Sequence, residues 1–292
     1  MKKIIKFGKK SSDISKIKNF ITDNDNLIKW QKKLFRVYKK EKIRNKCKNC
    51  ESKIGTKIFT KIGIPYYLCK KCGHLNARYQ DTHRLAKKLY QDNDGKDYSS
   101  FYINNKKKIN DYNLRTKNIY TPKVDFLINS LPKNKNNYNY IDIGCGAGYL
   151  VSAIKKRGIK DCSGYDPSKS MVKFGNKLNK FKKLNFINMK NLNELIKNIK
   201  SEKQVVLSMI GTFEHIYNNV EILHSIKNNK SIKYFYISVP CFSLSSFIEL
   251  AFDKYYQRLM APQHTHFYTD QSLKFMEKKF KLKIVSEWWF GV

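Results

Sequence analysis

The stretch Tyr138-Asn139-Tyr140-Ile141-Asp142-Ile143-Gly144-Cys145-Gly146-Ala147-Gly148-Tyr149-Leu150 constrains the fold more than any other part of this chain. β-Forming residues run up to Gly144, and Leu150, Val151 and Ile154 then switch to helical spacing. A strand that enters a helix through closely spaced glycines brings backbone N–H groups up to a ligand, with the positive end of the helix behind them. The spacing is D-x-G-x-G-x-G. Tyr149 stands where the dinucleotide fingerprint G-x-G-x-x-G has its last glycine, so the turn is of another kind. Asp142 directs a carboxylate at the turn, which suits a cationic ligand better than a pyrophosphate.

Cys162-Ser163-Gly164-Tyr165-Asp166 reads as the next strand and ends in an acid. The interval from the glycine turn to Asp166 is close to that at which α/β nucleotide sites place a ribose-binding carboxylate. A helix from Pro167-Ser168 through Leu178 follows, then a strand at 184–188 and a helix at 192–199. A buried strand at 204–209, a helix around Ile222–Ile226 and an aromatic-rich strand at 232–240 complete the run. Alternating strands and helices predict an α/β fold, a parallel sheet with helices on both faces. The glycine turn and Asp166 then lie at the carboxyl ends of neighbouring strands, where such sheets bind ligands.

On Asp142, the glycine turn and Asp166, the chain resembles class I S-adenosylmethionine (SAM) dependent methyltransferases. The resemblance implies a Rossmann-like SAM-binding domain over residues 120–292. It implies Asp142, Gly144, Cys145, Gly146 and Gly148 around the methionine end of the cofactor and Asp166 on the ribose hydroxyls. The family carries a Glu-His pair after its fourth strand, here Glu214-His215, at the transfer site. Two positions depart from the pattern. Gln204 replaces an acid that usually opens the fourth strand, and Asn188 is the nearest polar residue to the usual adenine-contacting acid.

Upstream, Cys47-Lys48-Asn49-Cys50 and Cys69-Lys70-Lys71-Cys72 form C-x2-C…C-x2-C at zinc-ribbon spacing. Four thiolates close a tetrahedral Zn²⁺ shell and leave no open position, so the metal expected at Cys47, Cys50, Cys69 and Cys72 is structural. Disulfide pairing is the competing reading, disfavoured in a reducing compartment. Lys57–Thr60 and Pro65–Leu68 read as a hairpin between the knuckles, and His74 as a surface residue or one behind the metal ligands. Cys145, Cys162 and Cys241 read as small buried residues.

The remaining organisation is an N-terminal helical segment (1–43), the ribbon (44–80) and a helical linker (81–119). Residues 1–12 read as a mobile polar tail. Helices are expected at 13–22, 25–40 and 81–91, and another starting at Thr121-Pro122. Tyr98, Phe101 and Tyr102 lie in an expected loop. Phe242–Leu259 reads as an apolar helical insertion, a lid or substrate wall. Leu282–Trp289 reads as a last strand, giving a six-stranded sheet unless the sequence is a fragment.

The net charge of +36 is carried by lysines spread along the whole length, without arginine clusters. Compositional drift and nucleic-acid binding are both open readings of it, and either surface attracts anions. No apolar run approaches the ~20 residues of a membrane span, and no secretory h-region follows the N-terminus, so the expected compartment is the cytoplasm.

The loop Gln263-His264-Thr265-His266-Phe267-Tyr268-Thr269 supplies two imidazoles that can take a proton near neutral pH. Ribbon, methyltransferase core and this H-x-H loop together resemble zinc-containing sugar-nucleotide C-methyltransferases. That likeness puts His266 first and His264 second as catalytic base. Thr265 and Gln263 depart from it, and its large C-terminal domain has no counterpart. Three functions follow as expectations. The first is a SAM-dependent methyltransferase of small, anionic acceptors such as nucleotide sugars or glycan precursors. The second is an RNA methyltransferase that uses ribbon and lysines as a grip, although no Asn/Asp-Pro-Pro-Tyr motif follows the fourth strand. The third is a non-catalytic binding platform.

Overall fold

The computed structural model describes residues 4–8, 24–95, 108–180, 182–252, 260 and 264–289. The expected helix at 13–22, the aromatic loop residues Tyr98, Phe101 and Tyr102, and most of 253–263 lie outside them.

Eleven strands are named in chain order: β1 (Ile4–Phe7), β2 (Thr56–Lys61), β3 (Ile64–Leu68), β4 (Leu75–Ala77), β5 (Tyr138–Ile143), β6 (Cys162–Asp166), β7 (Leu184–Phe186), β8 (Gln204–Ile210), β9 (Ile232–Ser238), β10 (His266–Phe267) and β11 (Ser286–Trp289). The helices are α1 (Asn24–Tyr38), α2 (His83–Tyr90), α3 (Lys108–Arg115), α4 (Thr121–Ser130), α5 (Tyr149–Lys156), α6 (Lys169–Asn179), α7 (Leu192–Asn198), α8 (Asn219–Asn228), α9 (Leu244–Ala251) and α10 (Asp270–Phe280).

The central sheet runs β7-β6-β5-β8-β9, all parallel, as the α/β alternation predicts. Side chains alternate along each strand, so β5 sends Tyr138 and Tyr140 to one face and Ile141 and Ile143 to the other. The first face packs on Val124 and Leu127 of α4 and on Leu150, Val151 and Ile154 of α5. The second packs on Leu192 and Ile196 of α7, Ile222 and Leu223 of α8, and Met276 and Phe280 of α10. Both faces are thus buried, the condition under which a parallel sheet is stable.

Four expectations are corrected. The sheet has five described strands, because β11 pairs instead with β1, Ile4 opposite Ser286 and Phe7 opposite Trp289. The N-terminal tail is therefore a strand over residues 4–7. Thr121-Pro122 opens α4 with the proline in its first turn, but Thr121 is no cap, because Tyr120 and Thr121 are themselves helical and α3 runs on into α4. A π turn at Thr116–Tyr120 joins them, widening the backbone just before the proline that cannot donate an N–H. The Thr121 hydroxyl donates to Thr116 O there (2.9 Å). Finally, His74 is no surface residue: it is fully buried, edge-on to Tyr268.

The ribbon's own sheet runs β10-β4-β3-β2, so its edge strand comes from the far end of the chain. Thr269 caps α10 and donates its hydroxyl to Gly73 O (2.9 Å), while Asn49 Nδ2 donates to Ser272 O (3.0 Å). Among the described residues no helix is long and apolar enough to cross a membrane.

Candidate active site

The four cysteine sulfurs lie within 4.8 Å of one another, buried and unbridged. Cys47 Sγ is 3.6 Å from Cys72 Sγ, and Cys50 Sγ is 3.5 Å from Cys69 Sγ. A tetrahedron with Zn–S bonds of ~2.3 Å has edges of ~3.8 Å, so the donor set fits zinc with small adjustment. Each knuckle turns the same way. Glu51 N and Gly73 N donate back to Cys47 O and Cys69 O at 2.8 Å, and both residues have positive φ. Asn76 Nδ2 faces Cys47 Sγ at 3.4 Å, and Ser52 Oγ lies 2.9 Å from Cys50 Sγ and 3.3 Å from Cys69 Sγ, polar contacts suited to thiolate sulfur.

At the glycine turn, Gly144 has φ +70°, and a Cβ on it would strike the Thr212 side chain. That close approach brings the loop after β8 against the turn, where the Thr212 hydroxyl donates to Gly144 O (3.4 Å). Asp166 at the end of β6 accepts from Gly146 N (2.7 Å) on one oxygen and from Ser168 N (2.8 Å) on the other. Each oxygen keeps a lone pair for a ribose hydroxyl. Asp142 accepts from Ser208 Oγ (2.7 Å) across the β5–β8 pair. Burial pushes the Asp142 carboxyl up to about 7 and the Asp166 carboxyl up to about 6, against the pull of those donors. Two desolvated carboxylates beside one turn fit a cationic ligand such as SAM, whose charge would offset their burial. Cys145 is buried, its thiol pushed up by desolvation, which suits packing rather than chemistry. Asn188 is exposed and accepts from Lys190 N (3.1 Å), ending β7 as a turn cap.

A second cluster gathers three segments. Asp81, Leu85, Ala86, Leu89, Tyr90, Glu214, His215 and Thr265 line one small cleft with about 10 Å³ of open volume. Glu214 is 3% exposed, and burial pushes its carboxyl up to about 8. His215 Nε2 lies 4.0 Å from Glu214 Oε1, and its Nδ1 meets the Tyr90 hydroxyl at 3.0 Å. The His264 ring stacks on His215 with centroids 4.9 Å apart. His266 is a strand residue whose backbone pairs with Asn76 of the ribbon. Asp81 is bound by Arg44 and Lys48, whose charges outweigh its burial and hold its carboxyl down at about 2.

Sequence reasoning missed Tyr90, Asp81 and Tyr112. Tyr112 stacks on Tyr149 and directs its hydroxyl to Ala147 O (3.3 Å) and Gly148 O (3.2 Å), clamping the glycine turn from outside. Helical spacing in α2 and α3 reveals a buried face but not what it is buried against.

Residues 112–287, more than half of the chain, match the family model described as a methyltransferase domain. No curated protein matches the sequence. Among solved structures, the plantazolicin methyltransferase BpumL in complex with SAH is 22% identical, over 68% of this chain and 73% of that one, with TM-score 0.44. Magnesium protoporphyrin IX methyltransferase (ChlM) from Synechocystis PCC 6803 with bound SAH is 11% identical over 68% and 89%, with TM-score 0.46. A SAM-dependent methyltransferase from Archaeoglobus fulgidus is 22% identical over 55% and 66%, with TM-score 0.41.

Proposed function

This chain belongs to the methyltransferase-domain family, and from that premise we propose that it is a SAM-dependent enzyme that methylates a small anionic acceptor, such as a nucleotide sugar or a glycan precursor. The observation that carries this reading is the contact of Thr212 with Gly144. It sets the loop of Glu214 and His215 beside the glycine turn, which supports one shared mouth for acceptor-binding groups and a cofactor cradle. The net charge of +36 favours anions at that mouth.

In this reading Asp142, Gly144, Cys145, Gly146 and Gly148 surround the methionine end of the cofactor, Asp166 holds the ribose hydroxyls, and Asn188 borders the adenine. When bound, the cofactor supplies an electrophilic methyl on a sulfonium. The chain supplies orientation and a proton acceptor within hydrogen-bond reach of the acceptor atom. His266 takes that proton, next to Thr265 of the cleft wall, and Glu214, His215 and His264 bind the acceptor. Cys47, Cys50, Cys69 and Cys72 hold one structural Zn²⁺, which keeps the ribbon, and through β10 the histidine loop, in shape. Residues 1–43, 44–80, 81–119 and 120–292 serve as N-terminal segment, ribbon, linker and SAM domain of one cytoplasmic enzyme.

Transfer of labelled methyl from SAM to a panel of nucleotide sugars, with total RNA beside it, tests the acceptor class. Label in RNA alone would overturn it in favour of the nucleic-acid reading. His266→Ala should lower turnover roughly 10²–10⁴-fold with SAM affinity unchanged. Equal loss of SAM binding would make that histidine structural.

A further inference from the structure

We propose that Glu214, His215 and His264 form a second metal site, open on its acceptor side, for a divalent transition ion such as Mn²⁺, Fe²⁺ or Co²⁺. Each of the three offers one donor atom, and those atoms lie within 4.8 Å of one another. A six-coordinate ion with bonds of ~2.1–2.2 Å separates neighbouring donors by ~3.0 Å and opposite donors by ~4.3 Å. The 4.0 Å between His215 Nε2 and Glu214 Oε1 is within a small side-chain adjustment of that range.

A second observation is independent of that spacing. Tyr90 meets His215 at Nδ1, at 3.0 Å, which orients the ring and directs Nε2 toward Glu214. Metal-bound histidines are held in this way through their other nitrogen. The carboxylate is buried, and Asp81, the other acid lining the cleft, is already committed to Arg44 and Lys48. Two imidazoles and one carboxylate select Mn²⁺, Fe²⁺, Co²⁺ or Zn²⁺ over the all-oxygen preferences of Mg²⁺ and Ca²⁺. Three protein donors leave coordination positions for the acceptor. The ligand class this adds is an acceptor with two adjacent oxygens, such as a vicinal diol or a hydroxyl beside a carbonyl, which can chelate the ion. The chemistry differs from the ribbon's, where four soft sulfurs retain zinc and do not compete for Mn²⁺.

The full chain, with zinc in the ribbon, is titrated with Mn²⁺ alone and free Mn²⁺ is read by electron paramagnetic resonance. Co²⁺ absorption gives a second readout. One saturable ion per chain is expected beyond the ribbon zinc. His264→Ala and Glu214→Gln should each weaken it at least tenfold, and Tyr90→Phe by about tenfold or more. Thermal unfolding checks that the variants fold. Tyr90→Phe keeps the ring in place and decides the matter if His264→Ala does not fold. No saturable Mn²⁺ or Co²⁺ binding, or binding that persists unchanged in the folded variants, overturns the site. Because ion binding is read without methyl transfer, the proposed reaction and this site can fail separately.

Discussion

The two halves of the proposed site are built in opposite ways. The cofactor half comes from one short span, Asp142 through Asp166, in which a strand, a turn, a helix and a second strand are consecutive. The acceptor half comes from Asp81–Tyr90, Glu214-His215 and His264-Thr265, brought together only when the ribbon, β8 and β10 are all in position. A locally built site survives damage elsewhere; a site assembled from distant segments inherits the weakness of every contact that assembles it.

Loss of the metal proposed for the four cysteines should separate the halves most strongly. Structural zinc contributes of the order of 10 kcal/mol to the fold of such a module. Cys69→Ser should abolish methyl transfer, because β10 and Thr265 are held by β4, while SAM affinity stays within about threefold. Calorimetry with SAM and a transfer assay on the same variant read both halves. Equal loss of cofactor binding would mean that the ribbon also supports the glycine turn.

Asp166→Ala attacks the local half. In the proposed ribose site it removes two charge-assisted hydrogen bonds, about 1–3 kcal/mol each, and should weaken SAM binding by about 30-fold or more. Mn²⁺ binding in the acceptor half should not change. Unaltered SAM affinity would sink the assignment of the ribose site.

The pH response of the cofactor half is smaller. The folded pKa of Asp142 lies above its unfolded value, raised by burial. Its stabilising contribution to the free protein is therefore fully present below the unfolded value of about 3.8 and lost as pH rises through about 7. A cationic ligand needs the ionised form, so SAM affinity should rise by about tenfold between about pH 6 and pH 8. Calorimetry across that range, with Asp142→Asn expected to flatten the curve, checks the sign. Ser208 and Asp166, which also act on this carboxyl, remain in both proteins.

Tyr112→Phe should have the least effect. It removes a buried hydroxyl that bonds Ala147 O and Gly148 O and accepts from Asn179 Nδ2 at 2.7 Å. About 1–2 kcal/mol of unfolding free energy should go, with SAM affinity lowered by less than about threefold. A large affinity loss would show that even the local half depends on a helix from outside it.

Much of the fold was legible because its signals are short-range. The D-x-G-x-G-x-G turn, the acid closing β6 and the two C-x2-C knuckles each lie within a few residues, where backbone geometry ties spacing to shape. The alternation of β5 to β9 with α5 to α8 was readable from apolar periodicity, and it implied the parallel sheet before any contact was known. The continuous α3–α4 helix was not readable, because Pro122 looks like a helix start until the π turn before it is seen.

The sequence alone determined the elements of the central sheet, the glycine turn and the cysteine quartet, because periodicity and turn chemistry act between near neighbours. Only the tertiary structure decided which edges pair and which side chains meet. β1 closes on β11 across nearly the whole chain, and β10 extends the ribbon rather than the central sheet. Tyr90, Glu214, His215 and His264 converge although no spacing links them. Strand edges and imidazoles carry no address in the sequence. Their partners are chosen by which pairing buries the most apolar surface and leaves the fewest polar groups unsatisfied, a property of the whole chain at once.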